Sequence, residues 1–99
     1  MINIKIDFVI KQDESLHVVR DIINNFIDNI RLNEPETVEY RSFQHSDDER
    51  HFFHLMSFKD EHAQLKHRNS AYCNHFVSKL YPLCDGEPKA VDLTKVREK

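Results

Sequence analysis

The chain has one glycine, no tryptophan, two cysteines and three prolines, and it contains no long apolar run. Each scarcity excludes something. Without a glycine-, proline- or serine-rich stretch there is no linker, internal repeat or low-complexity segment to divide the 99 residues, so one domain over 1–99 is expected. Cys73 and Cys84 stand in neither a metal-binding nor a redox spacing. The opening "MINIKIDFVIK" alternates instead of presenting an apolar block, so it reads neither as a secretory signal nor as a membrane segment. Neither sign of charge dominates. The net charge is −3 with both signs mixed along the chain, which leaves no electrostatic footprint for nucleic acid. The expected home is the cytosol, with both thiols reduced.

What the chain does have is polarity, phenylalanine and histidine. Charged residues make up 31% and apolar residues 39%, with seven Phe and seven His. A domain of this size buries roughly two-thirds of its unfolded surface. So polar a chain therefore has a thin core, or completes one against a second copy of itself.

Ile2, Ile4, Ile6, Phe8 and Ile10 alternate with Asn3, Lys5, Asp7, Val9 and Lys11, which predicts a strand with one strongly apolar face. After "KQDES", with Asp13 or Ser15 as N-cap, Leu16, Val19, Ile22, Ile23, Phe26, Ile27 and Ile30 recur at helical spacing. That helix should stop before Pro35, because proline disfavours a helical predecessor. "TVEYRSFQH" and "RHFFHLMSF" read as a hairpin joined by "SDDE". In the second of these strands Phe53 and Leu55 share one face while Phe52, Met56 and Phe58 share the other. A strand apolar on both faces must be covered on both. The first helix can cover only one, so another subunit is expected over the second. Asp60 opens a short helix to about Arg68, "NS" caps another from Ala71 to about Tyr81, and "KAVDLTKV" is a last strand after "DGEP". The order predicts an α+β fold: a ferredoxin-like antiparallel four-stranded sheet with helices on one face.

The histidine spacings predict no metal site. His62 and His67 are five apart, about 140° around a helix. His51 and His54 are three apart on a strand and so lie on opposite faces. Neither spacing suits one-faced ligation of a single ion. His17, His45, His51 and His62 are read as solvated surface. His54 alternates in phase with Phe52, Met56 and Phe58, where burial favours the neutral imidazole. His67 ends a short helix beside a loop. Each is read either as a hydrogen-bonded structural histidine or as a site residue.

Four stretches in order resemble one family. "EPETVEY" (34–40), "FKDEHAQLKH" (58–67), "NSAYCNHF" (69–76) and "LCDGEPKAVDL" (83–93) are similar to successive motifs of the antibiotic biosynthesis monooxygenase (ABM) domain, which includes quinol monooxygenases. The resemblance implies a dimeric α/β-barrel assembly, in which two such sheets pair to form a homodimer. It also implies a cofactor-independent monooxygenase, needing neither metal nor flavin, that oxidises a phenolic or quinol-type aromatic substrate with O2. Once deprotonated, such a substrate gives an electron to O2 itself, and the protein supplies a dry pocket, a base and hydrogen-bond donors.

Position by position, Tyr40 matches the family's strand Tyr, Phe58 its usual Trp, and His67 its helix-end His. His54 falls where some oxygenases have Asn, and Tyr72 where many members have a second His. The resemblance thus implies His54, His67 and Tyr72 as catalytic residues, with Tyr40, Met56, Phe58 and Phe76 against the substrate and no metal ligand. Met56 departs from a frequent Glu, and Glu36 replaces a Gly. A related branch binds and degrades haem; it has an Asn on strand one, near where this chain has Asp7, and a ligating His only loosely matched by His75. The alternatives are a non-catalytic dimeric module that shelters a small aromatic ligand, and haem binding.

Overall fold

The computed structural model describes all 99 residues. Strand β1 (Ile2–Val9) leads to helix α1 (Leu16–Asn33), the hairpin β2 (Thr37–His45) and β3 (Asp48–Phe58), helices α2 (Glu61–Arg68) and α3 (Ala71–Leu80), a 3₁₀ turn at Tyr81–Leu83, and β4 (Lys89–Leu93). The sheet order is β2-β3-β1-β4 with every pairing antiparallel. This is the ferredoxin-like arrangement anticipated from the order of elements.

Of the two cap candidates before α1, Ser15 is the cap: its hydroxyl accepts from the Val18 amide. Val19, Ile23, Phe26 and Ile30 form the buried stripe of α1. They meet Phe8, Ile10 and Phe52 from the sheet and Cys73, Phe76 and Leu80 from α3 in the main core. Ile4, Met56, Phe58 and Ala63 form a smaller cluster under α2. Ser70 couples the two short helices. Its Oγ accepts from the Cys73 amide at 3.1 Å and donates to the His67 carbonyl at 2.8 Å. Replacing Ser70 with Ala is expected to lower stability by about 1 kcal/mol in denaturant unfolding.

Two boundaries differ from those the sequence suggests. The hairpin turn is Ser46–Asp47 alone, because His45 pairs with Asp48, and Asp48 and Glu49 join β3 beside a register shift. Asp48 Oδ1 accepts from the Arg50 amide and holds that irregular end. Strand β4 stops at Leu93 instead of running to Val96. Leu93 already pairs with Asn3, so the chain beyond it has almost no β1 left to pair with.

All three helices lie on one face. No helix covers the other, where Phe43 stacks on Phe53 at 5.0 Å and Lys5 Nζ sits 4.9 Å over the Phe53 ring. Val9, Phe43, Val91 and Leu93 are exposed there. No helix is long and apolar enough to cross a membrane.

Candidate functional site

Phe26 of α1 is the hub of a ring cluster between the helices and the sheet. Phe76 stacks on it at 4.0 Å, and Tyr40, His67 and Tyr72 lie 5.5, 5.5 and 6.3 Å away. Four of these five side chains were singled out from the sequence. Phe26 itself is marked by the sequence only as part of the helix stripe.

The polar centre is a carboxylate. Glu34 caps α1 with its backbone N–H on the Ile30 carbonyl, and its side chain is almost wholly buried. Three donors converge on it. Thr37 Oγ1 donates to Oε1 at 2.6 Å, His67 Nδ1 to Oε1 at 3.0 Å and to Oε2 at 3.2 Å, and Tyr72 Oη to Oε2. Removal from water lowers the His67 pKa, and this outweighs the opposing pull of Glu34, so the pair is a neutral imidazole donating to an acceptor. The Tyr72 pKa is pushed up to about 12, first by burial and then by its bond to Glu34. It remains a phenol at neutral pH.

Glu34, within "EPETVEY", is not among the site residues expected from the sequence. A signal was available. A carboxylate at a helix C-terminus faces the negative end of the helix dipole, which is unfavourable unless donors offset it. Thr37, three residues on, is the nearest of those donors.

A second polar pair lies deeper. His54 is 1% exposed, and its Nδ1 is 2.8 Å from Tyr40 Oη. The Tyr40 pKa is raised well above its ordinary value, chiefly by burial, so its hydroxyl keeps its proton and donates it to Nδ1. The imidazole hydrogen is then on Nε2, which is buried without a partner. Burial lowers the His54 pKa to about 4. Phe8 and Phe76 close around the ring, with centroids at 5.2 and 6.0 Å.

A cavity of about 240 Å³ opens between α1 and α3 beside this cluster. Ile22, Phe26, Tyr72 and Phe76 wall it, and Asn25, His75 and Lys79 contribute its polar side. Of the seven expected site residues, Tyr72 and Phe76 border this cavity. His67 is linked to it through Glu34 and Tyr72. Tyr40 faces a groove of about 330 Å³ between α1 and β2. His54 borders neither. Met56 and Phe58 belong to the small core cluster and wall neither opening, Phe58 at 0% exposure against His67; Met56 borders a separate groove of about 310 Å³ with Asn3, Arg41 and Leu55. A recess of about 60 Å³ between α2 and the start of β2 touches Glu34, Thr37, His62 and Lys66, enough for a few waters.

Of the four histidines expected at the surface, His17 and His62 are exposed and two differ. His45 and His51 are half-buried, not fully solvated, and their rings stack on the open face of the sheet.

A ferredoxin-like α+β domain with a buried carboxylate–imidazole–phenol network beside an aromatic cavity is the class defined by these features. The family model for antibiotic biosynthesis monooxygenases matches residues 1–79, and the chain belongs to that family. A crystal structure of an antibiotic biosynthesis monooxygenase superposes with a TM-score of 0.88 at 18% identity, over 98% of this chain and 100% of that one. Rv0793 from Mycobacterium tuberculosis has a TM-score of 0.85 at 15% identity, covering 98% and 96%. A conserved protein from Methanosarcina mazei Go1 has a TM-score of 0.79 at 20% identity, covering 95% and 91%. At these identities the likeness is one of fold. No curated protein matches the chain.

Proposed function

We propose that the protein is a monooxygenase that oxidises a small phenolic or quinol-type substrate with O2, using the cavity between α1 and α3. The observation that carries this reading is Tyr72, which borders the cavity while its hydroxyl donates to buried Glu34. With its hydrogen on Glu34, Tyr72 Oη offers a lone pair to a substrate hydroxyl. A proton can pass from substrate to Tyr72 as the Tyr72 proton passes to Glu34, within hydrogen-bond reach throughout. The recess on the far side of Glu34 gives that proton a route to water. His67 and Thr37 hold the carboxylate in place.

The aromatic anion left in the cavity, against the stacked Phe26 and Phe76, is the electron donor. In the overall reaction one oxygen atom enters the ring carbon, and the other leaves as water with the two hydrogens that the substrate gives up. At about 240 Å³ the cavity is smaller than the roughly 300–1,000 Å³ of sites for drug-sized ligands, which favours one or two fused rings and disfavours a porphyrin. Oxygen uptake with a naphthol or naphthoquinol tests the reading. No uptake with either compound, together with a Soret band on haem titration, would replace it with the haem-binding alternative; saturable binding of the naphthol without uptake would leave the non-catalytic ligand-binding module.

The same proposal includes a homodimer formed through the open sheet face, which this chain leaves bare and lined by Val9, Phe43, Val91 and Leu93. Sedimentation at micromolar concentration should give twice the chain mass, and a Val91→Glu, Leu93→Glu double variant should sediment as monomer. A wild-type monomer would remove this part of the proposal.

A further inference from the structure

The open face also carries a side-chain cluster that the helix-layer chemistry does not use. Asp7 on β1, His45 at the end of β2 and His51 on β3 bring one ligand atom each within 4.8 Å of one another. The sheet explains the convergence. Gln44 pairs with Phe52, and at the register shift just beyond it the His45 backbone pairs with Asp48 while its ring stacks on that of His51 across the hairpin. Asp7 pairs with Phe53, which puts it diagonal to His51 on the same side of the pleat. The result is two imidazoles stacked at 3.9 Å between centroids and 12° between planes, with Asp7 Oδ1 2.9 Å from His51 Nε2.

We infer that Asp7, His45 and His51 form a binding site for a divalent transition-metal ion of the zinc or cobalt class. Two imidazole nitrogens and one carboxylate oxygen are the donor set such borderline cations take. His45 stacks on His51 and leaves Asp7 to it, so a His–Asp ion pair accounts for only one of the two rings. On binding, the ion replaces the proton shared between His51 and Asp7, and both rings turn a lone pair toward it. Bonds of roughly 2.0–2.2 Å set tetrahedral donors about 3.3 Å apart, so the cluster closes slightly through side-chain rotation. All three side chains are half-buried. Lys5 Nζ, 3.3 Å from Asp7 Oδ2, is the one cation bonded to the cluster. It opposes the ion's charge while orienting the carboxylate from its other oxygen. Three protein ligands leave at least one coordination position for water.

This site lies on the opposite face of the sheet from the α1–α3 cavity, beside Val9 of the face proposed to pair two copies, and does not depend on the oxidation proposed above. The test is titration of the chelator-treated protein with Co²⁺, read by its visible d–d absorption and by calorimetry. Saturable binding of one ion per chain is expected. His45→Gln and Asp7→Asn should each weaken it by at least the roughly 10–100-fold that even outer-shell changes produce. His17→Ala with His62→Ala, which removes two exposed histidines elsewhere, should leave it unchanged. His45→Gln, at the hairpin end, guards against a His51 variant that fails to fold. Absence of saturable Co²⁺ binding, or binding that survives His45→Gln and Asp7→Asn, would overturn the assignment. Chelation should also leave any oxygen uptake unchanged.

Discussion

Replacing Tyr72 with Phe is expected to lower the rate of substrate oxidation roughly 10²–10⁴-fold, the range contributed by a positioned acid–base group. The ring is kept, so the wall it forms beside Phe76 stays and the substrate still has its aromatic contact. Only the hydroxyl between the cavity and Glu34 is lost. Glu34→Gln should lower the rate similarly, because the amide keeps the shape but cannot take up the proton passed through Tyr72. The two effects should not add in the double variant, since both changes break the same path. Removing the Tyr72 hydroxyl leaves Glu34 with Thr37 and His67, at a stability cost of about 1–3 kcal/mol. Single-turnover kinetics separates binding from chemistry here. A Tyr72→Phe enzyme at full rate would remove Tyr72 and Glu34 from the reaction and return the base to His54 or His67.

The second large effect is on stability and comes from His54. Its folded pKa of about 4 lies below the 6.5 of an unfolded histidine because burial disfavours the charged ring. Between those values the unfolded chain binds a proton and the folded chain does not. Stability is therefore full above pH 6.5, falls as the pH drops through that window, and levels off below about 4 as far as this group is concerned. The difference corresponds to about 3 kcal/mol. His67, also lowered by burial, acts in the same direction. Urea unfolding at a series of pH values should show this slope, and His54→Gln should flatten most of it. An unchanged slope in that variant would assign the acid sensitivity elsewhere.

His54→Ala carries a further contrast. Were His54 the general base that the resemblance implies, the rate would fall roughly 10²–10⁴-fold with little change in stability. With Nδ1 occupied by Tyr40 and the ring away from both openings, the expected pattern is the reverse. The substitution leaves a cavity and an unpaired Tyr40 hydroxyl, at about 2–5 kcal/mol, with a smaller effect on rate.

Much of this fold was legible because local chemistry and tertiary packing agree. The alternation from Ile2 to Ile10, the helical stripe through Val19, Ile23, Phe26 and Ile30, and the caps at Ser15, Asp60 and Ser70 are properties of neighbouring residues, and neighbours alone decide them. The two-faced apolarity of β3 likewise announced a sheet with a bare second face. What local patterns could not supply were contacts between residues far apart in the chain. Glu34 meets His67 and Tyr72 across 33 and 38 positions, and no spacing rule reaches that far. Asp7 and His51 are 44 apart, and only the register of β1 against β3 makes them partners. Periodicity assigned Phe58 and Met56 correctly to the helix-side face, but it could not tell a cavity wall from closed core. That distinction depends on how α2 seats over the sheet, because the same apolar face is sealed where a helix packs tightly and open where two helices part.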